Sequence, residues 1–160
     1  PTVQTYWEYY EHYKNYFEGK TATKSEDNQL LERITQLEQA VDSATDYTDK
    51  MRYQKELVDL LQPLADQAPD NEDILSYVAN QYGSLSWYAL FTKEFESAEQ
   101  ATRKALSLSE AAEWVNINLA LALLFQGKYQ EAEAIYLRLK DKAYRDATYR
   151  ETFLKDLEEL

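Results

Sequence analysis

The chain has 160 residues, 44% of them hydrophobic, and a formal charge of −12 from 29 acidic against 17 basic side chains. That is enough for one domain with a core, and the charge repels phosphate backbones and anionic lipid headgroups alike, so neither nucleic acid nor a membrane is an expected partner. Three Gly, three Pro and no Cys argue against a turn-rich β protein and exclude disulfides, thiolate nucleophiles and cysteine metal sites.

Residues 5–19, TYWEYYEHYKNYFEG, hold seven aromatic side chains. At about 100° per residue, Tyr6, Tyr9, Tyr10, Tyr13, Tyr16 and Phe17 share one side while Glu8, Glu11, Asn15 and Glu18 take the other. The pattern predicts an amphipathic helix over 4–18 with Trp7 off the stripe, ended by Gly19 and followed by a polar loop, GKTATKSEDNQ. Its acidic polar face does not suit a membrane surface.

The next helix is predicted from about Gln29 to Ala44, with Leu30, Ile34, Leu37 and Val41 as its stripe and Ser25 or Asp27 as its cap. Another starts after Asp46 or Thr48, carries Met51, Leu57, Leu60, Leu61 and Leu64, and ends before Pro69, with Pro63 expected to bend it or shift its boundary. Beyond Asp70 or Asn71 a helix runs to about Thr92, interrupted only by Gly83. Further helices are predicted over 96–108, 111–126 and 129–140, the last two joined by Gln126-Gly127-Lys128. A final segment runs from about Thr148. No apolar run approaches the roughly 20 residues of a membrane span, so the chain reads as all-α and soluble, without membrane insertion.

Short turns between paired helices direct attention to internal repetition. Phe95-Glu96-Ser97-Ala98-Glu99 aligns with Tyr129-Gln130-Glu131-Ala132-Glu133 at an offset of 34 residues, and the same offset pairs Leu85 with Leu119. On these residues the chain resembles the tetratricopeptide repeat, a 34-residue helix-turn-helix with small residues where its helices touch. Leu119, Ala120, Gly127, Tyr129, Ala132 and Tyr136 carry the resemblance in one unit, and Leu85, Phe95, Ala98, Ala105 and Leu106 in the unit before it. Lys93 departs from the pattern where a turn Gly is expected, and Glu110 where a Pro is usual. Pro69 lies too far upstream for a standard unit, so its first helix is expected to be extended.

The resemblance implies a right-handed solenoid of antiparallel helix pairs in one domain, 1–160. Its parts would be the aromatic helix 4–18, a degenerate hairpin 29–69, units 71–110 and 111–140, and a capping segment 141–160 in which Phe153, Leu154, Leu157 and Leu160 cover the last apolar face. It is also similar to bacterial modules of this family attached to larger chains. With Pro1 at its start and a helical pattern at its end, the sequence reads as an excised piece, cytoplasmic rather than exported.

The inventory for chemistry is thin: one His and no Gly-rich phosphate loop. His12 reads as a boundary residue of a docked helix, and Glu131/Glu133 and Glu158/Glu159 as solvated helix faces without calcium-loop spacing. No enzyme, metal or cofactor is expected. What the resemblance implies instead is binding of a peptide or partner helix along the concave face, or contact with other domains of the same polypeptide. The register places Asn80, Trp87 and Phe91, then Trp114, Asn118 and Phe125 on that face, with Ile117 and Leu121 in the core. None of these is Lys or Arg, which disfavours capture of an acidic tail, and the charge favours a neutral or basic partner. Two other readings stay open: carbohydrate binding by Tyr and Trp, with Trp7 as its test, and self-association through the aromatic helix.

Overall fold

The computed structural model describes residues 24–160; the helix expected over 4–18, with Trp7 and His12, lies outside them. The described residues form seven α-helices: α1 (Lys24–Ser43), α2 (Tyr47–Gln67), α3 (Glu72–Phe91), α4 (Phe95–Leu108), α5 (Asn116–Phe125), α6 (Tyr129–Leu139) and α7 (Tyr149–Glu159). A 3-10 segment, Glu110–Val115, precedes α5, and an antiparallel hairpin of β1 (Ala143–Tyr144) and β2 (Ala147–Thr148) precedes α7. The protein is thus mostly helical, and none of its described helices is long and apolar enough to cross a membrane.

The helix starts follow local chemistry. Asp46 accepts a hydrogen bond from the Asp49 amide at 2.9 Å and Asn71 one from Ile74 at 3.1 Å, each satisfying an amide that has no partner within the helix. Thr148 and Glu151 form a reciprocal capping box at the start of α7. Helix α1 departs from expectation: it begins at Lys24, so Ser25 and Asp27 lie inside it rather than capping it. No Gly or Pro interrupts Lys24-Ser25-Glu26-Asp27-Asn28, so the sequence holds no helix breaker there. Pro63 leaves α2 unbroken. Pro63 and Asp59 are both exposed, so the Asp59 carbonyl that loses its donor is open to water.

The expected helix over 111–126 is divided. Its first turns wind as 3-10, with a kink at Ala112 (φ −79°, ψ 16°). That tighter stretch seats Trp114 and Val115 on Gly83 of α3, where an added β-carbon would lie 2.6 Å from the Trp114 ring and 2.8 Å from Val115 Cγ1.

Successive helices pack on one another, and the larger contacts that skip a helix are α3 with α5 and α5 with α7. Small residues mark the close crossings: Ala79, Ala105 and Ala112 meet in one cluster, and Ala89, Ala98 and Ala122 join Ile117, Leu121 and Leu139 in another. At the other end Leu57, Leu61 and Val78 are buried with Ile34 and Leu37, side chains worth about 1.5–3 kcal/mol each when fully removed from water. Phe153, Leu157 and Leu160 pack against the core beside α5, as expected of a covering segment, but Leu154 is 51% exposed. In α7 it stands about 100° around the helix from Phe153, at the solvent edge of the packed side.

The two helix turns at Lys93 and Gly127 share one construction. The Lys93 amide donates to Leu90 O and the Glu94 amide to Ala89 O; 34 residues on, Gly127 donates to Leu124 O and Lys128 to Leu123 O. Both are Schellman closures, with Lys93 at φ 62° and Gly127 at φ 76° in the left-handed position. The aromatic contacts repeat as well. Phe91, the last residue of α3, stacks on Tyr47 at the head of α2 (3.9 Å), and Phe125, the last of α5, stacks on Phe95 at the head of α4 (4.9 Å).

Candidate functional site

Helices α3, α5 and α7 with the β1–β2 hairpin enclose a cleft of about 470 Å³. Trp87 of α3 and Trp114 of the 3-10 segment form aromatic walls, Ile117 and Asn118 come from α5, and Tyr144, Arg145, Asp146, Thr152, Lys155 and Asp156 close the other side. A second depression of about 250 Å³ between α1, α2 and α3 is lined by Glu38, Asp42, Gln54, Gln81, Ser84 and Tyr88.

The six residues placed on the face by register have distinct surroundings. Trp87, Trp114 and Asn118 line the larger cleft. Asn80 accepts a hydrogen bond from Trp114 Nε1 at 3.2 Å and so fixes the ring. Phe91 stands beside the cleft, edge-on to Trp87 at 4.9 Å. Phe125 is 41% exposed and belongs to the turn, stacked on Phe95, apart from the other five. Ile117 is buried but also reaches the cleft, and Leu121 is fully buried.

Asn118 is 3% exposed, and its orientation is dictated by its partners. Nδ2 donates to Gly83 O at 3.2 Å and to Ser86 Oγ at 2.6 Å. A carbonyl oxygen only accepts, so the amide nitrogen must face Gly83 and the amide oxygen must face away. Among the described residues nothing donates to Asn118 Oδ1.

The charges of the cleft come from the segment after α6, a contribution that the register of the earlier helices does not reach. Arg145 and Lys155 bring two cations, contrary to the expectation of a face without Lys or Arg. The Arg145 guanidinium lies over the Tyr144 ring at 5.1 Å and Lys155 stands 3.7 Å from Glu159, so neither makes a hydrogen bond among the described residues. Asp146 and Asp156 have neither an ion pair nor a hydrogen bond among the described residues. Burial pushes the Asp156 carboxyl above the usual range and the nearby Glu159 adds to this, against the opposing influence of Lys155 and Arg145. In the second depression burial likewise raises Glu38, opposed by the hydrogen bond it accepts from Tyr77 at 2.8 Å, with Asp42 raising it further.

Arg145 also holds an unusual backbone, with φ 54°. It is the first residue of a two-residue hairpin loop fixed by the pairing of Tyr144 with Ala147, a position where a glycine is the ordinary solution. The strain falls at the mouth of the cleft, where the side chain covers Tyr144.

No family model, curated protein or solved structure matches this chain. Among the described residues no group of His, Asp and Glu is arranged to hold a metal ion.

Proposed function

We propose that this chain is a tetratricopeptide-like domain and serves as a non-catalytic interaction module, taking a neutral or basic peptide or partner helix on the face shared by α1, α3, α5 and α7. One observation carries the reading: the same closure recurs 34 residues apart, at Lys93 and Gly127, each time after a helix that ends in a stacked Phe, Phe91 and Phe125. That period and geometry are what a stacked helical repeat requires. It brings α3 and α5 side by side, with Trp87 and Trp114 walling a cleft of about 470 Å³ between α3, α5 and α7. Both rings are half-buried, and aromatic anchors beside a concave surface concentrate interface energy.

The absence of catalysis in this reading rests on the sequence, which has one His and no Cys. The acidic lining of the second depression, Glu38 and Asp42, and the net charge of −12 support the preference for a basic partner.

The reading is tested by selecting binders from a peptide library and mapping them with Trp87→Ala and Phe91→Ala on one side and Tyr129→Ala on the other. Binders that lose affinity only with the first two support it. Binders sensitive only to Tyr129→Ala place the interface on the opposite surface and remove it.

A further inference from the structure

Two depressions flank α3, and they differ in sign. In the larger cleft Arg145 and Lys155 stand with Asp146 and Asp156, so its lining is balanced and charge does not choose a ligand there. The depression of about 250 Å³ between α1, α2 and α3 carries Glu38 and Asp42 and has no Lys or Arg among its lining residues. The two acids lie four residues apart and so share one side of α1. Among the described residues Asp42 makes no hydrogen bond or ion pair, and Glu38 makes only the hydrogen bond it accepts from Tyr77 at 2.8 Å. Burial, with Asp42 adding to it, holds the Glu38 carboxyl above its ordinary range against that bond, the behaviour of an acid without a counter-ion.

Gln54, 2% exposed, reaches the same depression from α2. Its Nε2 donates to the backbone and side-chain oxygens of Gln81 at 3.1 and 2.8 Å, so what the amide has left for a ligand is its oxygen, an acceptor. Tyr88 supplies an aromatic wall. The Lys50 ammonium lies 5.7 Å from the centre of that ring and pairs with neither carboxylate. Carboxylates, an amide oxygen and an aromatic ring together suit a cation and repel an anion.

The depression is also joined to the aromatic surface of the face. The Tyr88 ring is 6.2 Å from Tyr47, which stacks on Phe91, which in turn stands edge-on to Trp87.

We propose that the depression between α1, α2 and α3 receives one cationic side chain, a lysine or an arginine, of the partner segment that lies on Trp87 and Phe91. The cation sits between Glu38 and Asp42, with Gln54 Oε1 as a further acceptor and the Tyr88 ring beside it. The inference rests on the reading of this face as a partner-binding surface and adds which side chain that surface selects, and where. The net charge of −12 adds long-range attraction for the same partner.

The test uses the full chain and small probes at constant ionic strength: n-butylammonium, n-propylguanidinium, n-butanol and butyrate. Binding is read from the side-chain amide resonances of Gln54 and the ring resonances of Tyr88, with the indole N–H resonances of Trp87 and Trp114 as the reference for the larger cleft. The two cations are expected to shift Gln54 and Tyr88 and to bind about tenfold more tightly than butanol, the size of one charge-assisted hydrogen bond, with no such preference at the indoles. Glu38→Gln combined with Asp42→Asn, which keeps the shape of both side chains and an acceptor for Tyr77, is expected to abolish the difference. A preference that survives the double change, an equal response to butanol or butyrate, or a response confined to the indoles overturns the assignment. In a second arm, each lysine or arginine of library-selected peptides that depend on Trp87 is exchanged for norleucine. At least one exchange is expected to cost about tenfold in the parent chain and little in the double variant. If none does, the cation pocket falls and the partner-binding face stands; selected peptides that ignore Trp87 remove the face and the pocket's role with it.

Discussion

Gly83 and Trp114, from different helix pairs, touch so closely that no side chain fits between them. An added β-carbon at Gly83 would lie 2.6 Å from Trp114 Cη2 and 2.8 Å from Val115 Cγ1. The Gly83 carbonyl also accepts from Asn118 and from Ser86. One residue therefore sets both the spacing of α3 against the 3-10 segment and the orientation of the buried amide.

Gly83→Ala is expected to destabilise the protein by roughly 1–3 kcal/mol, the usual cost of overpacking, although alanine favours a helix by about 1 kcal/mol. The tip of Trp114 can swing aside, whereas Val115 is fully buried. The substitution should therefore displace the indole and also weaken binding in the cleft. Urea unfolding of Gly83→Ala alone and combined with Trp114→Ala measures this. The combined variant should lose less than the sum of the single changes, and an additive result would show that the two residues are not in contact.

The turns at Lys93 and Gly127 provide a matched pair. Both hold left-handed backbone in the same closure, and a residue with a β-carbon costs roughly 1–2 kcal/mol there. Lys93→Gly is expected to stabilise by about 1 kcal/mol, and Gly127→Ala to destabilise by a similar amount. Nothing lies within 4 Å of a β-carbon at Gly127, so its cost is conformational alone. Opposite shifts in the urea midpoint at constant slope check the pair; a destabilised Lys93→Gly would contradict the account.

These turns were legible before any coordinates because they are local: Phe95 and Tyr129, each the first residue of its helix, carry the repeat in the sequence. The stripes of Leu57, Leu61 and Val41 likewise announce helices and a core. Gly83 was visible only as an interruption, since its purpose depends on a ring 31 positions later (114 − 83). The hairpin at 143–148 has strands of two residues and Arg145 where glycine is usual, so no turn signal marks it. The candidate site was half legible for the same reason. Trp87, Trp114 and Asn118 follow from the register, but Arg145, Lys155 and Asp156 reach the cleft only through the way that hairpin folds back.

Asn118 provides a test of the buried amide. Asn118→Leu keeps most of the volume but leaves Ser86 Oγ without its donor and Gly83 O with the Ser86 hydroxyl as its one side-chain donor, at a cost of roughly 1–3 kcal/mol. Asn118→Asp turns a carboxylate toward the Gly83 carbonyl oxygen and should cost more at neutral pH than in acid, where the carboxyl is protonated and can donate. Thermal melts of both variants across pH make the comparison; equal losses at every pH would mean that the amide nitrogen does not face Gly83.

Glu99 governs the acid limb of stability. Its side chain is 13% exposed and accepts from Arg103 Nε at 2.9 Å, Gln126 Nε2 at 2.9 Å and Lys128 Nζ at 2.7 Å, joining α4 to the turn that follows α5. Burial alone would raise its pKa, but hydrogen bonds from Lys128, Gln126 and Arg103 bring it down to about 2. A carboxyl depressed on folding stabilises the native state above its unfolded pKa, and that contribution is lost as pH falls through the folded value. From the ordinary value of 4.5 to about 2, stability should therefore fall as this carboxylate is protonated. Glu99→Gln keeps the shape but cannot satisfy two cationic donors, and is expected to cost roughly 1–2 kcal/mol at pH 7, an amount tempered by the solvent around Arg103 and Lys128. The same variant should flatten the acid limb, so that the two proteins converge in stability toward pH 2. Urea midpoints of both proteins over that window measure the difference, and a Glu99→Gln deficit that stays constant with pH would mean that the charge of Glu99 contributes nothing to holding α4 on that turn.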